Sequence, residues 1–571
     1  MTDNNKIRTV VVFPGTEVGK KAEEFWKAFD RSEDAGLEAF FSQNLPAEKL
    51  QQAPASERTQ RLLDLRQRLG KELKLIEVIQ QSPEEISLFI ERTKNQLFKL
   101  TLVFEKTGGK FWLKALSLDE AGPEDLAPPL PPMRLAEALV AIERQIEKAV
   151  QEDSFSGVVL IARHFQPIFF RSYGFASKEF RVPNRTDTRF NLGSINKIFT
   201  RIAIGQMAEQ GWLNLDDKLE KFLPEYPNAE AREKVTVRHL VNMTSGIGDF
   251  FGPEFNKTPK NFLRHNRDYL KLFAHKPLAF EPGTREMYSN GGYVLLGEII
   301  SAASGMDYYD FINRNIFEPA GMKDSGWFQA DAVVENVAEG YTRVNEETEP
   351  GSVISGQRQT PARPEESEKP VQTIVKSLSG QEKERIRTAE QTEKNVEKIW
   401  RRNIYTRPAR GSAAGGVYAP AEDLLRFVRA LFENRLLSEA WTDWVFTGIE
   451  PATAAVKTDR EKIESKNKND RSAAILDKNP GAETMPAKSD PSSATIKGGV
   501  VRVSNQKEEV QIKPDRSRWN LAIAGGAPGI NAVLEFEAAT GYTIIVLSNY
   551  DPPAAIQISR MIRRHIKAVS S

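Results

Sequence analysis

The chain contains no cysteine. A disulfide framework, a zinc site built from thiolates and a cysteine nucleophile are therefore excluded together. Histidine is also scarce, with only five residues. No two of them have the HExxH spacing that places two metal ligands on one helix face. The sequence thus predicts neither a metal hydrolase nor another cofactor enzyme, and any covalent catalysis must use a different side chain.

Neither sign of charge is in excess. The 79 lysine and arginine residues almost balance the 78 aspartate and glutamate residues, which leaves a net charge of +1. Binding to nucleic acid or to an acidic membrane surface favours a strong positive excess. We therefore expect a small-molecule ester, amide or peptide substrate and no nucleic-acid partner, and the composition does not indicate an oligomeric state.

The N-terminal region has little that could target or anchor the protein. Its apolar patch, Val10 to Phe13, has only four residues and is too short for the core of a signal peptide or for a membrane span. As written, the chain is expected to have no membrane span and to be cytoplasmic. It would be periplasmic or secreted if a leader had been removed, and a lack of cysteine fits either compartment.

A chain of 571 residues is expected to form two domains. After an N-terminal tail over residues 1–16, residues 17–120 combine helical spacing with alternating strands such as Ile86 to Ile90. This pattern predicts a small α+β domain, which resembles the cone-shaped domains of the nuclear-transport-factor-like superfamily in its order of elements.

A proline-rich stretch follows at residues 121–133 and is predicted to be a stiff extended linker, because proline fixes φ. The second domain is predicted over residues 134–571. It contains two polar stretches, near 345–397 and 450–518, that are rich in Glu, Lys, Ser, Pro and Gln. Such segments cannot bury enough apolar surface to fold alone, so both are predicted to be inserts or long surface loops.

The first motif with chemical meaning is Ser194-x-x-Lys197, which precedes a run with helical apolar spacing. Positions i and i+3 share one helix face. A serine in the first turn meets the positive end of the helix dipole, and a desolvated lysine one turn later can accept its proton. Alone, the pattern also fits a capping serine beside a solvated lysine, so its context has to decide.

The second motif is Tyr288-x-Asn290, between a Pro282-Gly283 turn and a predicted helix. A lysine ammonium beside a tyrosine would stabilise its phenolate, which could then carry a proton to a leaving group. Asn290 could hold either a substrate amide or the lysine. In isolation, Tyr288 could also be an ordinary half-buried aromatic residue.

The order of these motifs resembles the class C β-lactamases, penicillin-binding carboxypeptidases, D-aminopeptidases and related carboxylesterases. The resemblance extends to segments that occur in the expected order, namely RHLVNMTSGIGDF, PGTREMYSNGGYVLLGEII, IFEPAGMKDSGW, RGSAAGGVYAPAEDLLRF and GGAPGINAVLEF. It implies a β-lactamase/transpeptidase-like fold, with an antiparallel sheet flanked by helices and a helical subdomain. It further implies an acyl-enzyme on Ser194, with Lys197 and Tyr288 handling protons and Asn290 near the substrate.

The family's third motif, a Lys or His followed by any residue and Gly, is altered here. The corresponding stretch sets Ile523 at the basic position, whereas Gly525 and Gly526 are present. The resemblance implies that the Gly526 N–H completes an oxyanion hole. Without the cation, binding of a substrate carboxylate should weaken, so we expect esterase-like activity on small, uncharged esters or amides.

Two alternatives stay open. Within the same class, the chain could be a D-Ala-D-Ala carboxypeptidase, a β-lactamase or a D-aminopeptidase. In a different class, Ile523 and the two polar inserts could mark a catalytically weakened binding or scaffold protein.

Overall fold

The computed structural model describes residues 11–70, 73–93, 96–126, 130–343, 399–451 and 515–569. These residues divide into two compact units. One contains the described residues up to Glu143 and those from Arg560 onwards, and the second contains those from Arg144 to Ser559. The sequence-based boundaries at residues 17–120, 121–133 and 134–571 stay a prediction.

The first unit begins with four helices whose apolar positions have helical spacing. In the first of them, Ala22, Phe25 and Phe29 are fully buried on one face. Its N-terminus is capped by Thr16, whose side chain accepts a hydrogen bond from the Gly19 N–H at 2.9 Å. The helices are α1 Glu17–Asp30, α2 Asp34–Asn44, α3 Ala47–Gln52 and α4 Ala55–Leu69.

An antiparallel four-stranded sheet completes this unit, with its strands in chain order. Ile86, Leu88 and Ile90 share one face of the sheet, as the period of two predicts, and pack with the helices in one apolar core. The α+β character expected for this region is therefore present. The strands are β1 Lys74–Ser82, β2 Glu85–Thr93, β3 Gln96–Thr107 and β4 Lys110–Ala121.

The proline-rich stretch 121–133 is not extended throughout, so that prediction is wrong in part. A short helix, α5 Pro123–Leu126, interrupts it. Gly122 N–H donates to the Asp125 carboxylate at 2.8 Å, and the first turn tolerates Pro123 because its missing N–H would have no partner there. The prediction considered only proline's fixed φ and overlooked this capping arrangement.

A five-stranded antiparallel sheet forms the centre of the second unit, in the order β13-β14-β15-β5-β6. The middle strands β5 and β15 are almost continuously buried, which explains their unbroken apolar sequences. The edge strand β13 is the element that carries Ile523, Gly525 and Gly526. The five strands are β5 Gly157–Arg163, β6 Gln166–Tyr173, β13 Asn520–Ala527, β14 Ile530–Glu537 and β15 Tyr542–Ser548.

Three small two-stranded pairings accompany the main sheet. The pair β9 with β12 matters most, because β9 leads directly into the turn that contains Ser194. The short strands are β7 Phe175–Ser177, β8 Val182–Pro183, β9 Phe190–Asn191, β10 Tyr341–Thr342, β11 Arg401–Arg402 and β12 Tyr418–Ala419.

Helices make up much of the remaining structure and flank the sheet, as predicted for the fold class. The amphipathic helix predicted from Ala421 packs its buried face against β15 and β5. The helices are α6 Leu135–Gln151, α7 Lys197–Glu209, α8 Ala229–Lys234, α9 Val237–Val241, α10 Pro253–Lys257, α11 Asn290–Ser304, α12 Tyr308–Ile312, α13 Glu318–Ala320, α14 Ala421–Phe432, α15 Glu439–Thr447 and α16 Ala554–Lys567. Helices α6 and α16 contain the points at which the two units divide.

Most of the two predicted polar inserts lies outside the described residues. The exceptions are Glu450 and Pro451 at the start of the second insert and its end, where Arg516–Arg518 forms a 3-10 turn and Arg516 pairs with Glu439 at 2.6 Å. No helix in the described ranges is long and apolar enough to cross a membrane.

Truncation of a central strand side chain should destabilise the second unit. Ile545 is fully buried in β15, where it lies between Leu534 of β14 and Leu160 of β5. We expect Ile545→Ala to lower the free energy of unfolding by about 2–5 kcal/mol, because it removes buried apolar atoms and leaves a cavity. Urea unfolding combined with peptide-resolved hydrogen exchange would measure this in β5 and β15.

The matched control is Ile449→Ala, whose side chain is 59% exposed and which should change stability by less than about 0.5 kcal/mol. Equal effects of the two substitutions would contradict the assignment of β15 to the core.

Candidate active site

Ser194 lies in a 3-10 turn, Gly193–Asn196, that continues directly into α7. In a 3-10 helix, side chains three residues apart are aligned above one another. Lys197, the first residue of α7, therefore projects on the same side as Ser194, and its Nζ lies 3.2 Å from Ser194 Oγ. The turn replaces the α-helical turn predicted from sequence and brings the two residues together more directly.

Tyr288 and Asn290 approach Ser194 and Lys197 from the start of α11. The Ser289 hydroxyl caps this helix by accepting a hydrogen bond from the Gly292 N–H at 2.8 Å. Tyr288 precedes the cap, and its hydroxyl donates to Ser194 Oγ at 2.7 Å. Asn290 is the first residue of the helix and faces the lysine. The structure therefore brings the four side chains named from the two sequence motifs into one hydrogen-bonded group.

The contacts of Lys197 determine where its remaining electron pair or proton can point. Its Nζ donates to Asn290 Oδ1 at 2.7 Å and to the backbone oxygen of Ala414 at 2.6 Å. Both oxygens can only accept, so two N–H groups are directed away from the serine. The third position of the amine faces Ser194 Oγ, where a neutral lysine has the lone pair needed to accept the serine proton.

Burial favours this neutral form. Lys197 is only 7% exposed, and desolvation lowers its pKa from the ordinary 10.5 to about 7. The negative charge of Asp249 acts in the opposite direction and raises the pKa of Lys197. The lysine is therefore close to half deprotonated at neutral pH, as a general base requires.

Asp249 was not identified from the sequence as a site residue. Its carboxylate accepts a hydrogen bond from Asn290 Nδ2 at 2.7 Å and another from the Phe251 N–H at 2.9 Å. Burial raises its pKa, while these hydrogen bonds and Lys197 oppose the rise. The only signal in the sequence was one acidic residue within the apolar stretch Ile247 to Phe251.

Asn290 joins the lysine to this carboxylate. Lys197 directs an N–H donor at Asn290 and an ionised carboxylate can only accept, so the amide oxygen must face Lys197 and the amide nitrogen must face Asp249. The orientation of Asn290 is thereby determined from both sides. Of the two roles considered for Asn290, the contact with the lysine is the one present in this structure.

Tyr288 differs from the expectation of a stabilised phenolate. Burial raises its pKa to about 12, and the hydrogen bond with Ser194 only partly opposes this. Lys197 Nζ lies 4.7 Å from the centre of the tyrosine ring, where it contacts the ring's π-system. The hydroxyl is therefore protonated at neutral pH and acts as a donor to Ser194 in this state.

The glycines of the third motif pack against the turn that holds the nucleophile. A Cβ on Gly525 would lie 1.9 Å from the Leu192 backbone oxygen and 2.8 Å from Ser194 N. On the other side, a Cβ on Gly193 would lie 2.9 Å from Gly526 N. Strand β13 and the Ser194 turn therefore meet backbone to backbone, with no space for a side chain.

Ile523 does not supply a charge to this site. It shares a strand face with Leu521 and Gly525, because side chains alternate along β13, and it is half-buried against the apolar core. Burial would make a positive charge at this position costly. Among the described residues, the acidic ones that pair with β13 across the sheet are Glu535 and Glu537. The basic residue expected from the resemblance is absent.

A pocket opens beside Ser194 and is also lined by Gly526 and Asn290. Its walls include six aromatic residues, of which Phe250 and Tyr269 meet edge to face at 4.9 Å. Apolar walls with a few polar groups are typical of small-molecule sites. The aromatic lining residues are Phe250, Phe251, Phe255, Tyr269, Phe328 and Tyr418. Within the ranges that the structure describes, no three His, Asp or Glu residues cluster as metal ligands would.

The chain was compared with protein families and with curated proteins. The family model described as Beta-lactamase matches residues 142–461, more than half of the chain. Penicillin-binding protein 4* of Bacillus subtilis (strain 168) is 37% identical over 186 residues, which cover 32% of this chain and 40% of that protein. Esterase EstB of Burkholderia gladioli is 30% identical over 203 residues, which cover 33% of this chain and 52% of that protein.

Solved structures give a further comparison. A penicillin-binding protein from Bacillus halodurans aligns with a TM-score of 0.48 at 24% identity, covering 74% of this chain and 99% of that one. D-amino acid amidase from Ochrobactrum anthropi SV3 aligns with a TM-score of 0.48 at 18% identity, covering 76% and 98% of the two chains. The matched segments of the two curated relatives span only about half or less of their length.

The reactivity of Ser194 should follow the protonation of Lys197. We expect labelling by a fluorophosphonate to rise with pH around a midpoint near 7, because the neutral amine accepts the serine proton. Asp249→Asn removes a negative charge that favours the ammonium form. The midpoint should therefore move to lower pH by roughly one unit or more, which labelling rates between pH 5 and 9 would measure.

Asp310→Asn is the matched control, because Asp310 is exposed on α12 and its charge is screened by solvent. A midpoint that stays in place in Asp249→Asn would show that Asp249 does not act on the lysine electrostatically.

Proposed function

Because the chain belongs to the beta-lactamase family, a family of serine hydrolases, we propose that it hydrolyses small esters or amides through an acyl-enzyme on Ser194. One observation carries this proposal: Ser194 Oγ lies within hydrogen-bonding distance of both Lys197 Nζ, at 3.2 Å, and Tyr288 Oη, at 2.7 Å. A nucleophile, its base and a second proton donor are thus in contact before any substrate binds.

Acylation begins when Ser194 Oγ attacks the substrate carbonyl carbon and its proton passes to the lone pair of Lys197. The backbone N–H groups of Ser194 and Gly526 stabilise the oxyanion, and one such donor is worth roughly 3 kcal/mol. The bond between Oγ and the carbonyl carbon forms, and the tetrahedral intermediate then expels the leaving group.

Tyr288 completes the proton transfers. Once Oγ is acylated, the tyrosine hydroxyl is free to protonate the departing oxygen or nitrogen, and the Lys197 ammonium returns a proton to the phenolate. In deacylation, water attacks the acyl carbon and loses its proton to the same pair, which restores Ser194. Asn290 and Asp249 act as positioning residues, because Asn290 holds the lysine and Asp249 orients Asn290.

Esterase-like activity is the form of this chemistry that the site supports best. The aromatic pocket favours a substrate with an apolar group, and β13 offers no cation where relatives with carboxylate-bearing substrates are expected to have one. The similarity to Esterase EstB agrees with this proposal. Carboxypeptidase, β-lactamase and D-aminopeptidase activities are the alternatives, since penicillin-binding proteins are also among the relatives.

Ser194-dependent turnover of a simple ester is the direct test. We expect the protein to hydrolyse 4-nitrophenyl butyrate faster than nitrocefin or a D-alanyl amide, and to form a covalent adduct with a fluorophosphonate that mass spectrometry locates on Ser194. Ser194→Ala should abolish both activities, because Lys197 holds no second hydroxyl among the described residues. Absence of a Ser194-dependent adduct with either a fluorophosphonate or a fluorescent penicillin would refute the proposal.

Ile523 favours one candidate from a different class, a catalytically weakened binding or scaffold protein. If the missing cation limits the chemistry, Ile523→His should raise 4-nitrophenyl butyrate turnover from a trace level by more than about ten-fold. For an active esterase, we expect robust turnover in the unmodified protein and little gain from the same substitution. Steady-state kinetics of the two proteins side by side would separate these outcomes.

A further inference from the structure

The pocket beside Ser194 has one charged lining residue among those that the structure describes, namely Arg407. It follows the 3-10 turn Asn403–Tyr405 and belongs to the loop Thr406–Ala409, so it comes from a part of the chain remote from β13. All other lining residues are aromatic, aliphatic, small or uncharged polar residues. A single positive charge in an apolar pocket indicates what the pocket binds.

The hydrogen bonds of Arg407 leave most of its guanidinium donors unused. Nη1 donates to the hydroxyl of Tyr418, while Nε is buried and has no hydrogen-bond partner among the described residues. No carboxylate in the described parts of the chain forms an ion pair with it. A half-buried guanidinium without an anion bears a desolvation penalty, and an anionic ligand would offset that penalty.

Two other arginines of the second unit each bind a carboxylate, which Arg407 lacks among the described residues. Arg264 binds the Asp331 carboxylate at 2.6 Å, and Arg189 binds Asp324 at 2.7 Å. The fork of donors in a guanidinium matches the two oxygens of a carboxylate. Tyr418 holds Arg407 in place through one donor only, so the fork stays available to a ligand.

We infer that Arg407 binds a free carboxylate of the substrate and replaces, from the loop Thr406–Ala409, the cation that β13 lacks at Ile523. This inference rests on the proposed hydrolase function and deepens it by naming the substrate class. The substrate is an ester or amide with an apolar body and one carboxylate. The expectation of an uncharged substrate considered β13 alone and is replaced by this one.

The test compares two esters that differ by one carboxylate, 4-nitrophenyl butyrate and 3-carboxy-4-nitrophenyl butyrate, with the mono-4-nitrophenyl ester of adipic acid as a second anionic probe. The quantity measured is the ratio of kcat/KM for an anionic ester to that for the neutral ester. Each rate is corrected for spontaneous hydrolysis and for the residual rate of Ser194→Ala. The two anionic probes carry the charge on opposite sides of the scissile bond.

We expect the unmodified protein to favour at least one anionic ester, and Arg407→Gln to lower that ratio by roughly ten-fold or more, mainly through KM. Arg407→Lys keeps the charge but loses the fork, so its ratio should lie between the two. Increasing salt should reduce the preference in the unmodified protein, since it screens the ion pair. Arg401→Gln is the control, because it removes an exposed charge from the same segment outside the pocket and should keep the ratio.

An unmodified protein that hydrolyses the neutral ester in a Ser194-dependent manner but favours neither anionic ester would overturn the role of Arg407 and leave the hydrolase proposal intact. An unaltered ratio in folded Arg407→Gln would overturn it too. If no ester is hydrolysed and Ser194 forms no adduct, the hydrolase proposal itself has failed.

Discussion

The site depends on one buried amine. Lys197 is desolvated, and it donates to two oxygens that can only accept, Asn290 Oδ1 and the Ala414 backbone oxygen. Desolvation lowers the pKa of the lysine, and the fixed acceptors determine which side of the amine is left for Ser194. The remaining contacts of the site follow from this arrangement. Asn290 must orient its amide towards the lysine, and the Asp249 carboxylate satisfies the other end of that amide.

The balance between burial and charge sets the working range of this amine. Burial alone would favour the neutral form strongly, and the nearby carboxylate of Asp249 restores part of the preference for the ammonium form. A base whose pKa is too high is already protonated and cannot accept the serine proton. A base whose pKa is too low does not retain that proton. The carboxylate therefore tunes a proton transfer in which it takes no direct part.

Sequence reasoning succeeded where the relevant geometry is local. Ser194 and Lys197 are three residues apart, so the helical pattern that follows them was enough to place both on one face. The antiparallel sheet flanked by helices was also predictable, because the family resemblance implies it. The roles of Asp249 and Ala414 could not be predicted from the sequence, because they contact Asn290 and Lys197 across 41 and 217 residues of chain. Neither contact leaves a local pattern. The protonated state of Tyr288 was missed for a related reason, since it depends on burial that the motif alone does not indicate.

The contact between β13 and the Ser194 turn separates the positioning of the nucleophile from the recognition of the substrate. The nucleophile and the strand are held together by glycine backbone, at Gly193, Gly525 and Gly526, where no side chain fits. Side chains at Ile523 and Arg407 can consequently vary without moving the reacting atoms. A scaffold built in this way can change its preferred substrate by single substitutions while its reaction chemistry is retained, so divergence of specificity can proceed without passing through an inactive intermediate.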